Sequence, residues 1–98
     1  MNKSKKNERY DLMYEAILSL ETVDEAKAFF DDLCTVPELL AMEQRFQVAL
    51  LLKKGMIYND ILARTGASSA TISRVNRSLM YGKDGYNLVF ERIDTDKE

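Results

Sequence analysis

Apolar residues recur along this chain at the spacing of amphipathic α-helices, and no segment shows the strict alternation typical of a half-buried β-strand. The pattern predicts helices over about 8–20, 24–33, 37–54, 58–65, 69–81 and 87–93. The intervening residues 81–86 have the composition of a turn, and residues 94–98 are expected to form a frayed acidic tail. We therefore predict an all-α protein with a single domain over residues 1–98.

Two threonine–glutamate pairs mark the starts of the second and third helices. Thr22 is followed three residues later by Glu25, and Thr35 by Glu38, which is the spacing of a capping box. The third helix is expected to end at residues 53–55, Lys-Lys-Gly, because cations favour the carboxyl end of the helix dipole and glycine adopts the left-handed conformation there.

The first and third predicted helices are apolar on more sides than one core requires. The first carries apolar residues around most of its circumference, namely Tyr10, Leu12, Met13, Tyr14, Ala16, Ile17, Leu18 and Leu20. A chain of 98 residues buries at most about two-thirds of its unfolded surface, so we expect a second subunit to cover the excess. We therefore assign residues 8–54 to dimerisation helices of a homodimer, preceded by a flexible basic segment over residues 1–7.

Residues 57–81 have the spacing of a helix-turn-helix. Gly66 can adopt the positive φ that ends one helix, and the hydroxyl of Ser68 can cap the next. In the second helix, Ile72, Val75 and Leu79 share one face. The opposite face carries small and basic residues, namely Ser69, Ala70, Ser73, Arg74 and Arg77. We predict that the apolar face docks and that the small and basic face reads DNA.

Cysteine and histidine content excludes several kinds of chemistry. Cys34 is the only cysteine and histidine is absent, which removes disulfide frameworks, Cys/His zinc sites and histidine-based catalysis. We expect Cys34 to be a small buried apolar residue. The adjacent acids at 24–25 and 31–32 point about 100° apart on a helix, which favours solvated faces. We therefore predict no enzymatic activity, no metal and no cofactor.

No apolar run approaches the roughly 20 residues of a membrane span, and no apolar signal region follows the basic N-terminus. We therefore expect a cytoplasmic protein without a membrane partner. Its net charge of −2 conceals a segregation of charge along the chain. Residues 10–38 carry eight acidic residues against Lys27, whereas residues 43–83 carry seven basic residues against Glu43 and Asp60. The basic segment coincides with the predicted helix-turn-helix, as expected of a segment that meets phosphates.

Over residues 35–79 the chain resembles the Trp repressor superfamily, in particular the Trp-repressor-related proteins of the YerC/YecD type. The motifs that carry the likeness are Thr35-Val36-Pro37-Glu38, Arg45, Leu51-Leu52-Lys53-Lys54-Gly55 and Gly66-Ala67-Ser68-Ser69-Ala70-Thr71-Ile72-Ser73-Arg74. The resemblance implies an all-α, interwoven homodimer in which the N-terminal helices of the two chains intertwine and leave each helix-turn-helix on the outside. Beyond this likeness, the residues themselves predict that 82–98 form a C-terminal turn, a short helix and the acidic tail.

The resemblance also implies roles for individual residues. Ser69, Ala70 and Ser73 would lie against base edges, and Thr71 would meet a phosphate. The complete set of candidate DNA-binding residues is Ser68, Ser69, Ala70, Thr71, Ser73, Arg74 and Arg77. A candidate pocket for a small-molecule effector consists of Arg45, Arg74, Val75 and Ser78. Arg45 and Arg74 match the arginines between which the repressor holds tryptophan, but Val75 replaces a glycine where the indole would enter, so we expect an effector other than tryptophan.

Two functions from different classes remain. The first is a dimeric, sequence-specific regulator of transcription that binds double-stranded DNA and acts as a repressor. The alternative is an interaction module that retains the helix-turn-helix fold but docks on protein or RNA. The acidic net charge and the scarcity of Asn and Gln on the exposed face favour this alternative, although readout of DNA shape would compensate for that scarcity.

Overall fold

The structure is a computed structural model, and it describes residues 9–97. Within this range the chain forms α-helices joined by short loops and contains no β-strand, so the predicted all-α fold is confirmed. The helices are α1 (Asp11–Leu18), α2 (Val23–Leu33), α3 (Val36–Lys53), α4 (Tyr58–Thr65), α5 (Ser69–Tyr81) and α6 (Gly85–Arg92), followed by a 3₁₀ turn at Thr95–Lys97.

The chain divides into two compact units between Val36 and Pro37. The first contains α1 and α2, and the second contains α4, α5, α6 and all of α3 beyond its first residue. This boundary falls inside the segment 8–54 that was assigned to dimerisation. The single domain and the dimerisation segment therefore stay predictions, and each unit is described by itself.

In the first unit, α1 is shorter than the pattern predicted. Its predicted start at Glu8 lies outside the described residues, and it ends at Leu18 instead of Leu20. The Ser19 hydroxyl donates to the Ala16 carbonyl at 2.6 Å, and the Leu20 amide donates to the Ile17 carbonyl at 3.2 Å. These i to i−3 contacts tighten the backbone into a turn, so the helical ladder stops two residues early.

The start of α2 follows the predicted capping box with one difference. The Thr22 hydroxyl accepts a hydrogen bond from the Glu25 amide at 3.0 Å, as expected of an N-cap. The Glu25 carboxylate in turn accepts a hydrogen bond from the amide of Glu21, one residue before the cap, at 2.9 Å. α2 ends at Leu33, and the next residue, Cys34, is half-buried instead of buried as predicted, because it lies in extended backbone beyond the helix end.

The second unit contains the apolar core. Its buried residues come from the second half of α3 and from α4, the following turn, α5 and α6, namely Val48, Ala49, Leu50, Leu51, Ile61, Ala67, Ile72, Val75 and Phe90. α3 ends as predicted at its Lys-Lys-Gly segment, where Gly55 has a φ of 91°. The amides of Gly55 and Met56 donate to the carbonyls of Leu52 and Leu51, both at 3.0 Å, which closes a Schellman motif.

The C-terminal helix α6 begins at Gly85, inside the segment predicted as a turn. The residue with a positive φ is Asp84 (67°), and not a neighbouring glycine. Its carboxylate accepts a hydrogen bond from the Asn87 side chain at 3.0 Å, which links the turn to the helix. Beyond α6, the Lys54 ammonium donates to the Thr95 carbonyl at 2.7 Å, and residues 95–97 form a 3₁₀ turn where a frayed tail was expected.

Candidate nucleic-acid interface

The candidate interface is built on α4, a three-residue turn and α5, whose bounds agree with the predicted helices. Gly66 ends α4 with a φ of 73°, and its amide donates to the Leu62 carbonyl at 2.9 Å. A residue with a Cβ is strained at such a φ, so glycine permits the sharp change of direction here.

Ser68 is the N-cap of α5, and Thr71 in the first turn supplies the amide that it caps. The Ser68 hydroxyl oxygen accepts a hydrogen bond from the Thr71 amide at 3.1 Å, and the hydroxyl lies 3.1 Å from the Thr71 Oγ1, to which it donates. This bond satisfies one of the otherwise unpaired amides at the helix start. Ser68 is exposed and Thr71 is half-buried. Because the two hydroxyls bond to each other and the Ser68 hydroxyl also bonds to the Thr71 amide, the hydroxyls of both candidate DNA-binding residues are already used at the cap.

The two faces of α5 differ as the sequence predicted. Ile72 is fully buried and Val75 is 2% exposed, and Leu79 is half-buried beside them. The opposite face is exposed and consists of Ser69, Ala70, Ser73, Arg74 and Arg77. Within residues 9–97, neither guanidinium on this face makes a hydrogen bond or ion pair with another residue. Two cationic side chains without a partner among the described residues thus lie beside a strip of small side chains.

Side-chain hydrogen bonds of Thr65 and Gln44 stabilise the turn between α4 and α5. The Thr65 hydroxyl donates to the Ile61 carbonyl at 2.7 Å and accepts from the amide of Ala67 at 3.1 Å. The side-chain amide of Gln44, on α3, donates to the Thr65 carbonyl at 3.2 Å. Sequence reasoning missed both residues. Thr65 stands beside the helix-ending glycine and could have been noticed, but no local signal connects it with Gln44, 21 positions earlier.

The candidate effector residues do not share the cavity that opens beside Ser78. Val75 is a core residue, Arg45 is half-buried, and Arg74 and Ser78 are exposed. An open cavity of about 510 Å³ between α3, the end of α5 and α6 is lined by Phe46, Ser78, Gly82, Lys83, Gly85, Tyr86 and Val89. Ser78 is the one member of the candidate set on this cavity wall, so the effector pocket stays a prediction.

Residues 9–97 contain neither a candidate metal site nor a candidate membrane span. No group of three or more His, Cys, Asp or Glu side chains in this part of the chain could hold a metal ion. Over the same residues, no helix combines the length and the apolar character needed to cross a bilayer.

Comparison with known proteins gives a consistent assignment. The family model for Trp repressor protein matches residues 8–94. YerC, an uncharacterized protein of Bacillus subtilis, is 47% identical over 83 residues, which are 85% of this chain and 80% of YerC. The crystal structure of a TrpR-like protein from Eubacterium eligens is 57% identical and covers 84% of each chain with a TM-score of 0.81. A candidate Trp repressor from Staphylococcus aureus is 50% identical, with a TM-score of 0.81 over 84% of this chain and 82% of its own. The chain therefore belongs to the Trp repressor family and has its all-α, helix-turn-helix fold.

Proposed function

We propose that this protein is a sequence-specific DNA-binding regulator of transcription that acts as a homodimer and represses its targets. The observation that carries the proposal is the exposed face of α5, where small residues and two exposed arginines lie opposite the buried Ile72 and Val75. Because α5 is fixed to the core by one face, its opposite face is held in a defined position in which it can contact DNA.

The composition of this exposed face suits the major groove of DNA. Ser69, Ala70 and Ser73 have short side chains, which allow the helix backbone to approach base edges closely. Arg74 and Arg77 follow on the same face and carry the positive charge that phosphates attract. In this arrangement the short side chains discriminate between bases, while the arginines supply affinity for any sequence.

The exposure of large apolar side chains supports the homodimer. Leu12 and Leu18 of α1 are 59% and 83% exposed, and Leu40 of α3 is 60% exposed. Covering such residues with a second copy would remove apolar area from water, which is the dominant favourable term in association. A two-fold dimer would set two α5 helices about 34 Å apart, and the operator would then be a pseudo-palindrome with half-sites one helical turn apart.

Selection from random DNA sequences followed by salt titration tests the DNA-binding proposal. We expect an enriched pseudo-palindrome whose log affinity falls by about 0.9 per log unit of salt for each phosphate neutralised. Arg77→Ala should weaken binding to all sequences alike and reduce the slope by about one. Ser73→Ala should instead change the preference among sequences, by about 1–3 kcal/mol, because it removes a base contact.

A second candidate function is docking on protein or RNA through the same fold. It is favoured by the net charge of −2, which is unusual for a protein that binds nucleic acid. The same experiment separates the two functions. If no motif is enriched and Arg77→Ala leaves the salt slope unchanged, the DNA-binding proposal is wrong and the docking function replaces it.

For the effector, we propose a small molecule other than tryptophan. Val75 is 2% exposed, so its side chain belongs to the core. By the resemblance to the Trp repressor, a glycine would be needed at this position to admit the indole. Calorimetry with millimolar tryptophan should therefore show no saturable heat of binding. A clear binding isotherm would contradict this steric argument, and Val75→Gly would then leave the affinity for tryptophan nearly unchanged.

A further inference from the structure

A side-chain hydrogen bond connects α3 with the end of α4, next to the turn that leads to α5. Thr65 is the last residue of α4, and the last carbonyls of a helix have no partner within the helix. The Gln44 side-chain amide donates to the Thr65 carbonyl at 3.2 Å across a partly buried contact. A residue from the middle of α3 thus supplies the hydrogen bond that the end of α4 lacks.

Thr65 also bonds to the turn that leads to α5. The Thr65 hydroxyl accepts a hydrogen bond from the backbone amide of Ala67. Because Ala67 is only 1% exposed, its amide depends on the Thr65 side chain for a hydrogen-bond acceptor. α5 begins at Ser69, two residues after Ala67. A displacement of Thr65 would therefore also displace the short turn bonded to it and the first residues of the exposed face of α5.

We propose that Gln44 is a positioning residue for DNA recognition, which fixes the placement of α5 by holding the Thr65 carbonyl. This inference rests on the proposed DNA-binding function. Base contacts require α5 at one position in the groove, whereas phosphate contacts by flexible arginines tolerate a small displacement. Loss of the Gln44 bond should therefore reduce discrimination between sequences more than it reduces binding to DNA in general.

Two substitutions at position 44 test the role of the donor. Gln44→Met keeps a similar length and removes the donor, whereas Gln44→Lys keeps a donor in the form of an ammonium group. Affinities of the full chain for the selected operator and for a scrambled duplex are measured along a salt titration. We expect Gln44→Met to bind the operator about 3- to 10-fold more weakly and the scrambled duplex unchanged. Gln44→Lys should restore the ratio of the two affinities.

The ratio is the decisive quantity, because the added charge of lysine raises both affinities together. If Gln44→Met leaves the ratio of the two affinities unchanged, either because both affinities fall equally or because neither falls, the inference is overturned. An equal loss on both duplexes would show a merely structural role. If the unsubstituted chain selects no sequence, the proposed function fails instead, and the two failures are thus distinguishable.

Amide hydrogen exchange without DNA provides a second readout. In Gln44→Met we expect faster exchange at Ala67 and Thr71, which lie in the turn and the cap, and unchanged exchange at Leu50 and Leu51 in the core. This pattern would show local loosening in a folded protein. Unchanged exchange at Ala67 and Thr71 would contradict the proposed role of Gln44.

Discussion

The helices of the two compact units differ in what they bury. α1 and α2 bury none of their own residues, whereas α3, α4, α5 and α6 all contribute to the core. Yet α1 has 8 residues and α2 has 11, and isolated helices shorter than about 12–15 residues are marginal in water. The contrast teaches that apolar pattern alone does not decide burial within one chain, and that the first unit needs further packing to be stable.

The same contrast occurs within a single helix. In the first half of α3, Leu40 and Met42 are 60% and 39% exposed, whereas residues 48–51 in the second half are all buried. The apolar character of the helix does not change along its length, but its surroundings do. Under the proposed homodimer, the first half of α3 is an interface and the second half is a core, which explains why both are apolar.

The largest effect is expected where the core is tightest. Ile72→Ala removes a fully buried side chain of α5 and should lower the free energy of unfolding by about 2–5 kcal/mol, through lost burial and the remaining cavity. Ser73→Ala, at an exposed position of the same helix, should change it by less than about 0.5 kcal/mol. Urea unfolding followed by circular dichroism measures both. Equal effects of the two substitutions would contradict the assignment of the core.

A smaller effect tests whether a second copy covers the first unit. For a homodimer that unfolds to separate chains, each tenfold dilution should lower the apparent free energy of unfolding by about 1.4 kcal/mol. Light scattering in the low micromolar range should give the mass of two chains. A folded monomer whose unfolding midpoint is independent of concentration would contradict the homodimer, and the exposed apolar residues of α1 would then be exposed to solvent in the functional protein.

Local sequence signals predicted some elements better than others. α4 and α5 agree with their predicted bounds because Gly66 and Ser68 specify the end of one helix and the start of the next within three residues. α1 was predicted too long because the Ser19 hydroxyl competes for backbone carbonyls, and α6 starts early because Asp84 adopts a positive φ. Such choices depend on side-chain bonds that periodicity does not encode.

The candidate interface shows the same division. The exposed face of α5 could be predicted because a helical period of 3.6 residues places Ser73 outside the face that Ile72 and Val75 share, once those two dock. Gln44 could not be predicted, because its partner Thr65 lies 21 positions away and the contact exists only after α3 and α4 pack. For the same reason, the spatial relation of Arg45 to Ser78 could not be derived from spacing.

The smallest expected effect compares one helix cap from each unit. Thr22→Ala and Ser68→Ala each remove a hydroxyl that accepts one backbone amide, at 3.0 and 3.1 Å, and each should cost about 1 kcal/mol of unfolding free energy. The two costs should be similar, because a cap is local and both units of a cooperative homodimer unfold in one transition. Thr22→Ser and Ser68→Thr keep the accepting oxygen and serve as matched controls in thermal or urea unfolding. If Thr22→Ala leaves the main transition unchanged while Ser68→Ala lowers it, the first unit unfolds separately, and its helices are not held by the packing that the homodimer requires.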